Sequence, residues 1–186
     1  MSERVKRRHS SAPRLLIVVL LLATATAVGA AVLLSSSPGG PVAWARLGTQ
    51  DVHSLSFIGG TDRLLFGHHN GVLESLDGGR SWAPLAARAD AMSLAAAEGS
   101  VVIAGHMVLQ ESTDGGRSWD DIPADLPSLD IHAFARSRIA PERMWAYLAE
   151  GGVYASSDGG RSWQRVYDGH VIHLSAVITA DRESLL

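Results

Sequence analysis

The sequence predicts an all-β protein: a partial β-propeller of about three four-stranded blades, preceded by one N-terminal transmembrane helix. Three observations carry that expectation. The octapeptide S-x-D-G-G-R-S-W occurs three times, short apolar runs precede each copy in the same order, and one uncharged apolar stretch lies near the start.

Residues 1–14 come first, as a basic cytoplasmic tail. Five of the sixteen Lys and Arg residues (Arg4, Lys6, Arg7, Arg8, Arg14) fall here against Glu3 alone, a balance of +4; the whole chain carries −3 with His neutral, so the remainder carries −7. Residues 15–34 (LLIVVLLLATATAVGAAVLL) then run twenty positions without a charge. At about 1.5 Å per residue that crosses a hydrocarbon core of about 30 Å. With the basic flank first, the positive-inside bias makes this a signal-anchor: single-pass in the cell membrane, N-terminus cytoplasmic, the rest extracytoplasmic. The alternative is secretion after signal cleavage, for which the available small-x-small string, Ala43-Trp44-Ala45, lies well past the apolar run. Residues 35–45 open with SSSPGGP, too polar and too rich in turn formers to pack, and read as a linker.

Residues 46–186 form the propeller segment, with blades at about 46–89, 90–129 and 130–169 and the start of a fourth at 170–186. The repeated aspartates stand 37 and 44 residues apart, the period of a four-stranded blade. Unit one offers VHSLSFIG (52–59), RLLFGHH (63–69) and GVLES (71–75); unit two AMSLAAA (91–97), SVVIAGH (100–106) and MVLQES (107–112); unit three IHAFAR (131–136), RMWAYLA (143–149) and GVYASS (152–157). Each is short, apolar and bounded by turn formers, as strands are. A fourth strand is expected from each Trp onward, in SWAPL, SWDDI and SWQRV. VIHLSAVI (171–178) matches the first strand of another unit, and RESLL the beginning of its second. Three blades and a beginning leave unpaired strand edges, so the expectation is either a piece of a longer product or a ring completed by self-association or another chain.

The octapeptide is read as a folding device. Asp and Gly sit in a hairpin turn, where Gly supplies φ > 0 and Asp accepts from nearby backbone N–H groups. Ser75, Asp77, Gly79 and Trp82 hold these places in unit one, Ser112, Asp114, Gly116 and Trp119 in unit two, and Ser156, Asp158, Gly160 and Trp163 in unit three. Each Ser ties the stem and each Trp buries its ring against the blade. One carboxylate per turn is too few for calcium, which takes six or more oxygens.

These residues resemble the Asp-box, or BNR, repeat S-x-D-x-G-x-x-W of sialidases, sortilin-type receptors, some glucanases and photosystem II assembly factors. All three copies fit every fixed position, and the resemblance runs from about Val52 to Leu186. It implies a propeller whose boxes lie at peripheral turns remote from any active site, and so implies a fold without a reaction. A sialidase of this kind would also carry an arginine triad, an early F/Y-R-I-P motif, an acid/base carboxyl and a Tyr–Glu pair. Arg138-Ile139-Ala140-Pro141 departs from that motif at Ala140, and Tyr147 and Tyr154 near Glu150 are explained by their strands. No catalytic residue is assigned.

Histidine is the candidate functional signal. His53, His132 and His173 fall in the first strands of their units, with Met92 in the matching slot of unit two; His68 and His106 each follow a Gly at the end of a second strand, and His69 is next door. First strands line a propeller's channel, so His53, His68, His106, His132 and His173 are the candidate ligand or metal site, with Asp90 and Asp130 as further ligands or supports. The spacing also resembles a bacterial Asp-box group described as glycosyl-hydrolase-like, in which H-x-x-L, D-x-M, G-H and D-x-H segments recur; Asp90-Ala91-Met92, Gly105-His106 and Asp130-Ile131-His132 fit the last three, and His53-Ser54-Leu55 is one residue shorter than the first. Glu74 and Glu111, in matching places before their boxes, read as a solvated strand face.

Absent cysteine excludes disulfides and thiolate metal sites. An outer region of charge −7 argues against a nucleic-acid partner. No P-loop, dinucleotide fingerprint, G-x-S-x-G elbow or H-E-x-x-H string occurs. The expected function is a membrane-anchored binding or scaffold module for a protein, peptide or glycan partner, with no cofactor. The alternatives are a glycoside-hydrolase-like fragment and a His-lined site for a metal or anion.

Overall fold

The computed structural model describes residues 42–43, 52–179 and 182–186. The expected tail, transmembrane segment and most of the linker lie outside the described residues. Among those described, no helix is long and apolar enough to cross a membrane.

The architecture is all-β, in successive antiparallel sheets. The first holds β1 (Val42–Ala43), β2 (Ser54–Phe57), β3 (Leu64–His68), β4 (Gly71–Ser75) and β5 (Ser81–Pro84), ordered β1-β5-β4-β3-β2. The second holds β6 (Ser93–Ala97), β7 (Ser100–Gly105), β8 (Val108–Ser112) and β9 (Asp120–Asp121) in sequential order, and the third β10 (Ile131–Arg136), β11 (Met144–Leu148), β12 (Gly152–Ser156) and β13 (Gln164–Tyr167) likewise. β14 (Ala176–Thr179) and β15 (Arg182–Leu185) form a two-stranded sheet.

Two expectations on boundaries are corrected. Val42 and Ala43, assigned to the linker, pair with Trp82 and Ser81 and give the first sheet a fifth strand. The last strand of units two and three starts after the Trp, at Asp120 and Gln164. In unit three the Trp163 N–H is withdrawn from the ladder, donating to Asp125 Oδ1 at 2.7 Å. β9 is short because Pro123, close behind it, has no N–H to offer.

The second strands are buried on both faces, which is why VVIA and MWAYL are continuous apolar runs without polar alternation. Side chains alternate along a strand. Val101 and Ile103 of β7 pack with Leu65, Val72 and Ala91 toward the first sheet. Val102 and Ala104 pack with Ile131, Phe134, Met144 and Leu148 toward the third. On β11, Trp145 and Tyr147 turn the other way, onto Leu174 and the β14–β15 unit. The core is therefore a series of layers between sheets.

Arginines reinforce these layers. Arg63 pairs with Glu74 in its own sheet and donates to the Gly115 carbonyl of the next at 2.6 Å. Arg136 of the third sheet reaches Glu111 and Ser100 of the second at 3.0 and 2.7 Å. Arg143 reaches Glu183 of the fourth unit at 3.2 Å. Glu74 and Glu111 are thus ion-paired, contrary to the expectation of a solvated face, because Arg63 meets Glu74 across the β3–β4 hairpin and Arg136 reaches Glu111 from the next sheet.

The three boxes share one hydrogen-bond pattern. Ser75 Oγ donates to Asp77 Oδ1 at 2.8 Å and accepts from the Gly79 N–H at 2.8 Å; Asp77 in turn accepts from the Ser81 N–H and hydroxyl at 2.8 and 2.6 Å. Trp82 Nε1 closes the turn onto the Gly79 carbonyl at 3.1 Å. Ser112, Asp114, Gly116 and Trp119 repeat this, as do Ser156, Asp158, Gly160 and Trp163. Gly79, Gly116 and Gly160 have φ of 88°, 88° and 85°, a conformation that side-chain-bearing residues rarely adopt. Hydrogen bonds from Ser81 hold the Asp77 carboxyl down at about 2, and those from Ser162 hold Asp158 at about 2. Ser118 lowers Asp114 in the same way.

Candidate functional site

Two glycines determine how second strands meet the segment leading into the next sheet. A Cβ on Gly67 would lie 2.4 Å from the Ala91 carbonyl oxygen, and one on Gly105 would lie 1.9 Å from that of Asp90. Only a residue without Cβ permits that approach. The chain then turns through His106 and Met107, the latter with φ of 59°, and His106 is left beside Asp90.

The outcome is a continuous chain of imidazoles and carboxylates. His53 Nε2 lies 3.0 Å from His69 Nδ1, and His69 Nδ1 lies 3.1 Å from Asp90 Oδ1, which is 3.7 Å from His53 Nε2. The other oxygen, Asp90 Oδ2, accepts from His106 Nδ1 at 2.7 Å. His106 Nε2 is 3.6 Å from Asp130 Oδ1, and His132 Nε2 is 3.2 Å from the same atom. Five of the residues marked in the sequence are brought together: His53, Asp90, His106, Asp130 and His132. His68 and His173 are not. His68 stacks on Phe66 with ring centroids 5.8 Å apart, and His173 Nε2 meets Ser175 Oγ at 2.7 Å. His69, absent from the candidate set, takes the place expected of His68, because β3 carries the chain straight through His68 and turns only afterward.

Asp90 is the least exposed member with His53, its side chain 15% accessible against 47% for Asp130. Burial pushes its carboxyl up, but hydrogen bonds from His106 and His69 outweigh this and leave it below the ordinary value. It is therefore an anion at neutral pH, held between two imidazoles.

His53 and His132 also line a groove of about 600 Å³ running along the first strands. Leu55, Leu94 and Phe134 supply apolar lining, with Ile172 from the fourth unit. Among the described lining residues every ionisable side chain is basic: His53, His132, His173, Arg136 and Arg138. Arg136 is already paired with Glu111. Arg138 is exposed and makes no ion pair among the described residues.

Successive four-stranded antiparallel sheets, each with an Asp-box at the hairpin between its third and fourth strands, are the blades of a BNR-type β-propeller. Within that class the chain belongs to the photosynthesis system II assembly factor YCF48 family, whose profile matches residues 42–183. No curated protein matches the chain. Among solved structures it is similar to YCF48 bound to D1 peptide (TM-score 0.56, 23% identity, 76% of this chain and 48% of that one). It is also similar to YCF48 from Cyanidioschyzon merolae (0.54, 23%, 68% and 39%). A third likeness is to the GH74 xyloglucanase from Xanthomonas campestris (0.53, 14%, 73% and 26%). The chain spans less than half the length of each of these structures, and at these identities the likeness establishes the fold.

Proposed function

We propose that the chain is a membrane-anchored, extracytoplasmic binding module that holds an acidic, partly apolar segment of a partner protein along the groove of its first strands. The observation that carries this is the lining itself: apolar side chains with basic ionisable groups alone, in a chain whose residues 15–186 carry −7. Arg138, which makes no ion pair among the described residues, attracts a carboxylate locally while the acidic remainder of the module repels it, which selects for a binding register. The family supports a protein partner, and the solved relative that carries a D1 peptide is a propeller occupied by a peptide. The anchor rests on the uncharged run at 15–34 and the basic residues before it.

Fluorescence anisotropy on the full chain in detergent tests the groove. The probes are a labelled peptide alternating Asp or Glu with Leu or Phe, and its counterpart with Lys in the acidic places. The acidic peptide binds more tightly, and Arg138→Glu weakens it about tenfold. Equal binding of both peptides, or no effect of that substitution, would refute the reading. Resistance to alkaline extraction from membranes, with protease access to the propeller in intact cells, tests the anchor.

A further inference from the structure

We infer that the His–Asp chain is a pair of adjacent sites for divalent transition-metal ions of the zinc type, the first made by His53, His69 and Asp90 and the second by His106, Asp130 and His132. Each trio places three donor atoms within 4.8 Å of one another. The first can be tested against coordination geometry. Its donors form a triangle with edges of 3.0, 3.1 and 3.7 Å. The corners of that triangle lie about 1.9 Å from its centre, so an ion with bonds of about 2.0–2.1 Å sits roughly 0.7 Å above the plane. That is the height of a tetrahedral centre over three of its ligands, and it leaves a fourth position open.

Hydrogen bonding alone serves this arrangement poorly. His69 Nδ1 has one in-plane direction, carrying either a proton or a lone pair, yet it faces both a carboxylate oxygen and another imidazole nitrogen. A cation at the centre of the triangle uses all three donors at once. Two imidazoles with one carboxylate suit zinc and its late first-row neighbours, whereas calcium and magnesium require more oxygen ligands than either trio offers.

Asp90 makes the two sites one unit. Its Oδ1 is a donor in the first, and its Oδ2 accepts from His106 Nδ1–H. That bond fixes the His106 tautomer, leaving a lone pair on Nε2, the atom that faces Asp130. A carboxylate orienting a ligating histidine through its far nitrogen is the usual support of a zinc site. The imidazoles of His106 and His132 stand 5.0 Å apart at 73°, both beside Asp130 Oδ1. His69, His106, Asp130 and His132 are 39–48% accessible, so ions enter from solvent without rearrangement of the sheets.

The test is metal analysis and cobalt spectroscopy on the full chain, purified in detergent without an affinity tag, stripped with chelator and equilibrated with Zn²⁺ or Co²⁺. Two equivalents of zinc are expected, with the intense visible bands of four-coordinate Co²⁺. His53→Gln and His132→Gln each remove one equivalent. Asp90→Ala removes the first and weakens the second about 10–100-fold. Native tryptophan fluorescence in every variant separates loss of a site from loss of the fold. One equivalent or none in the folded unsubstituted chain overturns the paired site, as does a stoichiometry that the three substitutions leave unchanged. The peptide titration without metal is a separate experiment, so either reading can fail alone.

Discussion

Replacing Arg136 by Ala removes the best-formed latch between the second and third sheets. Its Nη1, Nη2 and Nε donate to Ser100 Oγ, Glu111 Oε1 and the Pro141 carbonyl at 2.7, 3.0 and 2.7 Å. Its side chain is 8% accessible and that of Glu111 29%. Breaking one side of a fully buried ion pair costs about 3–5 kcal/mol. Here Glu111 regains some water and keeps the Ser100 hydroxyl, which donates to it at 2.7 Å, so the expected loss is about 2–3 kcal/mol. For a domain of roughly 150 residues that lowers Tm by about 5–10 °C. Urea unfolding followed by tryptophan fluorescence gives the free energy directly, with an unchanged m-value if the native layers survive. The double variant Arg136→Ala/Glu111→Ala loses less than the sum of the single variants, since the pair is coupled. A loss under about 0.5 kcal/mol, or strict additivity, would refute the reasoning.

Three other outcomes follow from the geometry. Gly105→Ala must displace the Asp90 carbonyl, costing about 1–3 kcal/mol in urea unfolding, and it separates His106 from Asp90, which the imidazole NMR resonances of His106 report. Ser112→Ala leaves the buried Gly116 N–H without its acceptor and costs about 1–3 kcal/mol; the equivalent Ser156→Ala behaves alike, by the same denaturation assay. Asp77 and Asp158 titrate at about 2 in the folded chain against about 3.9 unfolded. A carboxyl whose folded value is depressed contributes stability that is fully present above the unfolded value and is lost as pH falls through the folded one. The urea midpoint therefore drops between about pH 4 and pH 2, and Asp77→Asn flattens that slope; a midpoint independent of pH in this window would contradict the box geometry.

The boxes were legible because the hydrogen bonds that shape each turn close within a single octapeptide, from the Ser to the Trp seven residues on, so composition and spacing nearly define it. Strand order followed from the repeat. The site was half legible. His53, Asp90, His106, Asp130 and His132 share repeat positions, but the choice between His68 and His69 depends on where the chain leaves β3, which a Gly-His-His-Asn string does not specify. The recurrence of Asp two residues before Met92 and His132, together with the His-His pair, was the available signal for His69. The Arg136–Glu111 latch spans 25 residues and the Arg63–Gly115 bond 52, and no local pattern reports contacts at that range. β1 was hidden for a different reason: two residues behind a Gly-Gly-Pro string acquire strand character only because β5 presents an open edge to them.

Val102 and Ile103 are neighbours in the chain yet belong to different seams, one stitched to the sheet that follows and one to the sheet that precedes. A change of side-chain volume at one position is therefore felt across a single seam, with the other shielded by the backbone of β7. A fold assembled this way can gain or lose layers by duplication or deletion, each event requiring a fit at one junction and none through the whole interior.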